Sequence, residues 1–127
     1  MKRFFLLTLA SAALLGASAA PVKTYEVKSP DGRLALVLTA GERLSFTVAR
    51  DGETLVAPSE MALTLSTGEV LGESPRVRSA RRRAVNETID APLYRQSRFD
   101  AAYNELDLRL RGDYGILARA YDDGVCY

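Results

Sequence analysis

The chain contains no histidine, and that absence removes more chemistry than any other feature of its 127 residues. Without imidazole there is no His-based catalytic triad, no usual zinc site and none of the commonest general base. Cysteine is nearly absent as well. Cys126 stands alone, so no intrachain disulfide can form, and an exported form of the chain would draw its stability from an apolar core. Charge of one sign is missing too: 17 basic groups face 16 acidic ones. That balance argues against a nucleic-acid binder working by bulk electrostatics. No segment keeps an apolar period of 3.6 residues, so helices are expected to be few.

What is present begins with an export signal. Lys2 and Arg3 precede an apolar run from Phe4 to Leu15, too short to span a bilayer comfortably, and Ala17-Ser18-Ala19 has the small-x-small form of a cleavage site. Residues 1–19 are read as a secretory signal peptide and residues 20–127 as one domain, periplasmic or secreted, with no membrane association after cleavage. The mature part keeps 108 residues with 15 basic against 16 acidic groups, a net charge of −1. That length suffices for one small domain.

The rest of the chain alternates with the period of two expected of half-buried strands. Leu34, Leu36 and Leu38 form one such face and Leu44, Phe46 and Val48 the next, separated by a turn at Ala40-Gly41-Glu42. Asp51-Gly52 is a two-residue hairpin signal, because a type I′ turn needs positive φ at both central positions. Thr54-Leu55-Val56 returns from it. Met61, Leu63 and Leu65 make a further face, closed by Ser66-Thr67-Gly68. Leu106, Leu108 and Leu110 alternate with Asp107, Arg109 and Arg111, Gly112-Asp113 turns, and Tyr114, Ile116, Ala118 and Ala120 return opposite Leu117, Arg119 and Tyr121. After Asp122-Asp123-Gly124, Val125-Cys126-Tyr127 starts another strand. The expectation is all-β: an antiparallel β-sandwich, incomplete at its C-terminal end and for that reason marginally stable.

Four stretches carry a resemblance: Ser29-Pro30-Asp31-Gly32-Arg33-Leu34, Ala91-Pro92-Leu93-Tyr94-Arg95-Gln96-Ser97, Tyr103-Asn104-Glu105-Leu106 and Arg119-Ala120-Tyr121-Asp122-Asp123-Gly124-Val125. In this order and spacing they resemble the N-terminal domain of the family 97 glycoside hydrolases, secreted bacterial enzymes acting on α-linked glucosides and galactosides. The resemblance implies part of a galactose-mutarotase-like super-sandwich that precedes a catalytic barrel. It implies an α-glycoside as the carbohydrate partner and the barrel domain as the protein partner. It places the catalytic carboxylates, and most of the ligands of the family's calcium, beyond Tyr127, so neither a catalytic residue nor a metal ligand or other cofactor site is assigned here. The alternative is a stand-alone exported module that binds carbohydrate or another partner.

Within the chain, Asn86 to Ala102 loses its alternation and is expected to be a long loop. Tyr94, Arg95 and Gln96 on it are the candidate substrate contacts: a ring to stack on a pyranose, with guanidinium and amide groups to bond its hydroxyls. The other reading has the loop buttressing the sandwich or the barrel. Arg76, Arg78, Arg81, Arg82 and Arg83 read either as a patch for an acidic sugar, phosphate or partner domain, or as a solvated edge strand. Glu105 and Asp107 share a strand face and project side by side, unlike the opposed carboxylates of a glycosidase. Asp122 and Asp123 suit a turn, and Cys126 a buried, inert thiol.

Overall fold

The computed structural model describes residues 21–127 apart from Tyr94 and Gln96. The signal-peptide reading therefore lies outside the described residues. Ten strands follow one another: β1 (Lys23–Lys28), β2 (Leu34–Ala40), β3 (Leu44–Arg50), β4 (Glu53–Glu60), β5 (Leu63–Thr64), β6 (Val70–Leu71), β7 (Val77–Asp90), β8 (Arg98–Leu110), β9 (Gly115–Ala120) and β10 (Val125–Cys126). No helix occurs among the described residues, so none there is long and apolar enough to cross a membrane. Two antiparallel sheets, ordered β1-β2-β3-β4 and β10-β9-β8-β7, form the two layers, and β5 and β6 make a short ribbon beside them.

The alternating leucines decide which faces meet. Leu36 and Leu38 from the first sheet and Leu106, Leu108 and Leu110 from the second are fully buried in one cluster with Val27, Val48, Ala118 and Ala120. β1 and β2 lie over β8 and β9. Intervening residues point outward, as Leu117 shows at 44% exposure in the middle of β9. At one margin, Arg82 Nε and Asn104 Nδ2 donate to the backbone carbonyls of Glu26 and Lys28 on β1, at 3.1 and 2.8 Å. These side chains tie the edge of the first sheet to the second. At the other end of the second sheet, Tyr127 brings its ring to 4.9 Å from that of Phe46.

The turns obey the backbone needs of their residues. Asp51 and Gly52 have φ of 51° and 85°, the positive pair a type I′ turn requires, and they join Arg50 directly to Glu53 in the ladder. β4 runs on through Pro58, beyond the expected Thr54–Val56. Its position at the sheet edge leaves room for a residue with no N–H to donate.

Two expectations fail. The long loop from Asn86 to Ala102 is instead the outer half of a hairpin, with β7 and β8 paired from Val77↔Leu110 to Asp90↔Arg98 and only residues 91–97 between them. Alternation vanishes there because most residues on both faces of the ribbon are exposed, so neither face needs to be apolar. Polar cross-strand pairs take over: Thr88 Oγ1 donates to Asp100 at 2.8 Å and Arg98 Nε to Asp90 at 3.0 Å. Cys126 is exposed, not buried. In the two-residue strand β10 it is Val125 that packs against the core, which turns the next side chain outward.

Candidate functional site

The second sheet carries its charged side chains in cross-strand rows on its outer face. Arg83 on β7 pairs with Glu105 on β8, and Glu105 with Arg119 on β9. Facing the same way, Arg81 stands opposite Asp107 and Leu117, while Val85 stands opposite Tyr103. The period of two makes these rows, because the residues between them are the buried leucines.

Glu105 is the centre of the arrangement. It is only 4% exposed although it lies on the outer face. Arg83 Nε donates to one carboxylate oxygen and Arg119 Nε to the other, the second at 2.8 Å. The hydrogen bond from Arg83, reinforced by that from Arg119, holds the Glu105 carboxyl below its ordinary pKa against the opposing effect of burial. Both guanidiniums are raised by the same contact. Arg119 lies 4.9 Å over the Tyr103 ring, which in turn sits 4.9 Å from that of Tyr121. The Tyr103 hydroxyl donates to Glu87 at 3.2 Å, and burial with this bond pushes its pKa up. Asp107 is engaged by Arg109 through two bonds of 2.8 and 3.1 Å.

A second cluster joins the two sheets end to end. Asp122 Oδ1 accepts the Asp31 backbone amide at 2.9 Å across 91 residues of sequence. Asp31 in turn accepts from the Ser29 hydroxyl and from the Arg33 amide, contacts that lower its pKa, the hydroxyl most. The buried Ser29 hydroxyl also accepts the Leu34 amide at 2.9 Å, and Arg33 grips Asp51 with two bonds of 3.0 and 2.8 Å. Replacing Asp122 with alanine should free the Asp31 amide, speeding its hydrogen exchange by roughly three- to tenfold while the Leu34 amide stays protected. Unchanged protection at Asp31 would show that the inter-sheet bond holds nothing.

Three of the four stretches singled out in the sequence thus converge. Arg119–Val125 bonds Tyr103–Leu106 through Arg119 and Glu105 and Ser29–Leu34 through Asp122 and Asp31, while Asn104 reaches the carbonyl of Lys28 just before Ser29. The fourth does not join them: Arg95 is exposed at the tip of the β7–β8 hairpin, beyond the Asp90↔Arg98 pair, and Tyr94 and Gln96 lie outside the described residues. The Arg83–Glu105–Arg119 row was not legible as a unit, since its members are 22 and 14 residues apart. The usable hint was that Arg81 and Arg83 repeat the spacing of Glu105 and Asp107. Among the described residues no three acidic or sulfur side chains lie close enough to hold a metal. An apolar groove of about 420 Å³ between Leu44, Met61, Leu71 and Tyr114 carries one carboxylate, Glu60, already paired with Arg43.

Residues 27–127 match the family described as glycosyl-hydrolase 97 N-terminal. A retaining alpha-galactosidase of Bacteroides thetaiotaomicron is 37% identical over 105 residues, covering 83% of this chain and 16% of that protein. Among solved structures, a glycoside hydrolase family 97 enzyme of Pseudoalteromonas sp. strain K8, in complex with acarbose, superposes with a TM-score of 0.72 at 18% identity, over 80% of this chain and 16% of its own. A beta-arabinopyranosidase gives 0.68 at 18% identity, over 77% and 16%. At that identity the two structures speak for the fold. The chain spans about a sixth of the length of the curated relative it matches.

Proposed function

Because the chain belongs to the glycosyl-hydrolase 97 N-terminal family, we propose that it serves as the non-catalytic front of an exported α-glycoside hydrolase. In this reading the sandwich supports a catalytic barrel supplied by the remainder of a longer polypeptide and lends surface to the substrate cleft. One observation carries the non-catalytic role: Asp31, Glu105 and Asp122, acidic residues of the matching stretches, are committed to contacts within and between the sheets. Glycoside hydrolysis needs two carboxylates on opposite sides of the scissile bond, about 5–5.5 Å apart for retention or 6.5–9.5 Å for inversion. Glu105 has both oxygens bonded to arginines, and its lowered pKa removes the proton a general acid must give. Asp107 is held by Arg109 on the same strand face, and Asp122 accepts the Asp31 amide.

Export is supported by Lys2 and Arg3, the apolar run Phe4 to Leu15 and Ala17-Ser18-Ala19. The α-galactoside class is the first substrate to test, because the 37% identical relative is named for it. Tyr94, Arg95 and Gln96, in the segment of sequence between β7 and β8, remain the proposed sugar contacts, since an extended ribbon can carry the connection between its strands away from its own sandwich.

The chain alone should release no phenol from an aryl α-galactoside or α-glucoside above the buffer rate. Turnover that disappears in Glu105→Gln would overturn the non-catalytic reading. Grafted in place of the matching segment of the Bacteroides enzyme, the chain should support galactosidase activity. In that chimaera Tyr94→Ala should raise KM by about tenfold if its ring stacks on sugar. An active chimaera with unmoved KM and a lowered melting temperature would assign the tip to buttressing.

A further inference from the structure

We propose that the outer face of β7, β8 and β9 binds an oxyanion at Arg81, Arg83 and Arg109, the carboxylate, sulfate or phosphate group of a small ligand. A concavity of about 470 Å³ lies there, bounded also by Glu105, Asp107 and Leu117. Its carboxylates are already satisfied: Glu105 by Arg83 and Arg119, Asp107 by Arg109. Arg81 stands opposite Asp107 in the ladder, but Arg109 occupies both oxygens of that carboxylate. Arg81 is left exposed and without a partner among the described residues. With Arg119 included, four guanidiniums surround Glu105 and Asp107 here, and the remaining carboxylate further along the same face, Glu87, already accepts from the Tyr103 hydroxyl.

The arginines are also oriented. Arg83 spends Nε on Glu105, so its outer N–H groups stay available in a plane that a buried carboxylate fixes, while Arg119 braces that carboxylate from β9. Such guanidinium forks match the geometry of carboxylate, sulfate and phosphate, and side chains held in advance lose little freedom on binding. Arginines whose only task was to keep the β7 edge from pairing would need exposure and charge, with no carboxylate beneath them to set their angle. Leu117, 44% exposed beside Asp107, gives the body of the ligand an apolar surface.

Isothermal titration of the chain at constant ionic strength tests it, with sodium sulfate, inorganic phosphate and sodium galacturonate as ligands and neutral galactose as control. One saturable site with a Kd on the order of millimolar is expected for the anions and no heat for galactose. Arg81→Gln should weaken the anions about tenfold without disturbing the fold, because the Arg81 side chain has no partner among the described residues. Arg78→Gln removes the same charge from β7 outside the row, over the Gly112-Asp113 turn, and should change binding by less than about twofold. Galacturonate binding tighter than sulfate assigns the site to an acidic sugar, and the reverse order to a free inorganic anion. Heats that fail to saturate, or equal weakening by Arg78→Gln and Arg81→Gln, overturn the proposal in favour of general charge screening.

Discussion

Leu108→Ala lowers the free energy of unfolding by about 3 kcal/mol, and Leu117→Ala, nine residues along on the opposite face, by less than about 1 kcal/mol. Leu108 is fully buried in the cluster that Leu36 and Leu38 complete from the other sheet. Truncating it removes apolar area from the core and leaves a cavity that ladders on both sides keep from collapsing. Leu117 already meets water, so its loss forfeits little transfer energy. Urea unfolding of the two variants measures both effects, and for a domain of this size the larger one corresponds to a fall in melting temperature of about 15 °C. Equal losses at the two positions would mean that β9 faces the core with its other side, since a slip of one residue reverses every side chain.

Glu105→Gln should be the most costly polar substitution, about 2 kcal/mol, with a melting temperature lower by about 10 °C. It neutralises the charge that both Arg83 and Arg119 approach and puts an amide donor against one of them. The cost stays under that of a fully buried pair because Arg83 is open to water. The pH dependence has a definite sign. The folded pKa of Glu105 lies below its unfolded value of about 4.3, so the carboxylate's contribution is complete above that value and is lost as pH falls through the folded one. The stability gap between the parent chain and Glu105→Gln should therefore be constant from about pH 6 to 8 and close as pH falls below about 4. Asp31 and Asp51, also lowered, are present in both proteins and cancel in the difference. A gap that persists undiminished at pH 2 would show that the amide disrupts packing and that the charge itself contributes nothing.

The elements legible in the sequence were those whose cause is local. Asp51-Gly52 and Gly112-Asp113 turn with positive φ because few other residues accept it, and the alternating leucines of β2 and β8 had only one way to face a core. Where both faces of a strand meet water, as in Asn86–Asp90 and Arg98–Asp100, alternation has no apolar signal to carry, and those residues looked like a loop. Cys126 was misplaced for a related reason: a strand of two residues is too short to show which of its faces is inside.

By itself the sequence determined the all-β class, the turn positions, the inward faces of the principal strands and, through four short stretches, the family. Tertiary structure alone decided that Arg83, Glu105 and Arg119 form one row, that Asp122 holds the Asp31 amide, and that Arg81 is left without a partner among the described residues. Hydrophobic periodicity is written along the chain, because burial selects residues at fixed spacing. A polar contact between strands depends on register and on which sheet lies beneath which, and these are settled only when all the strands pack together.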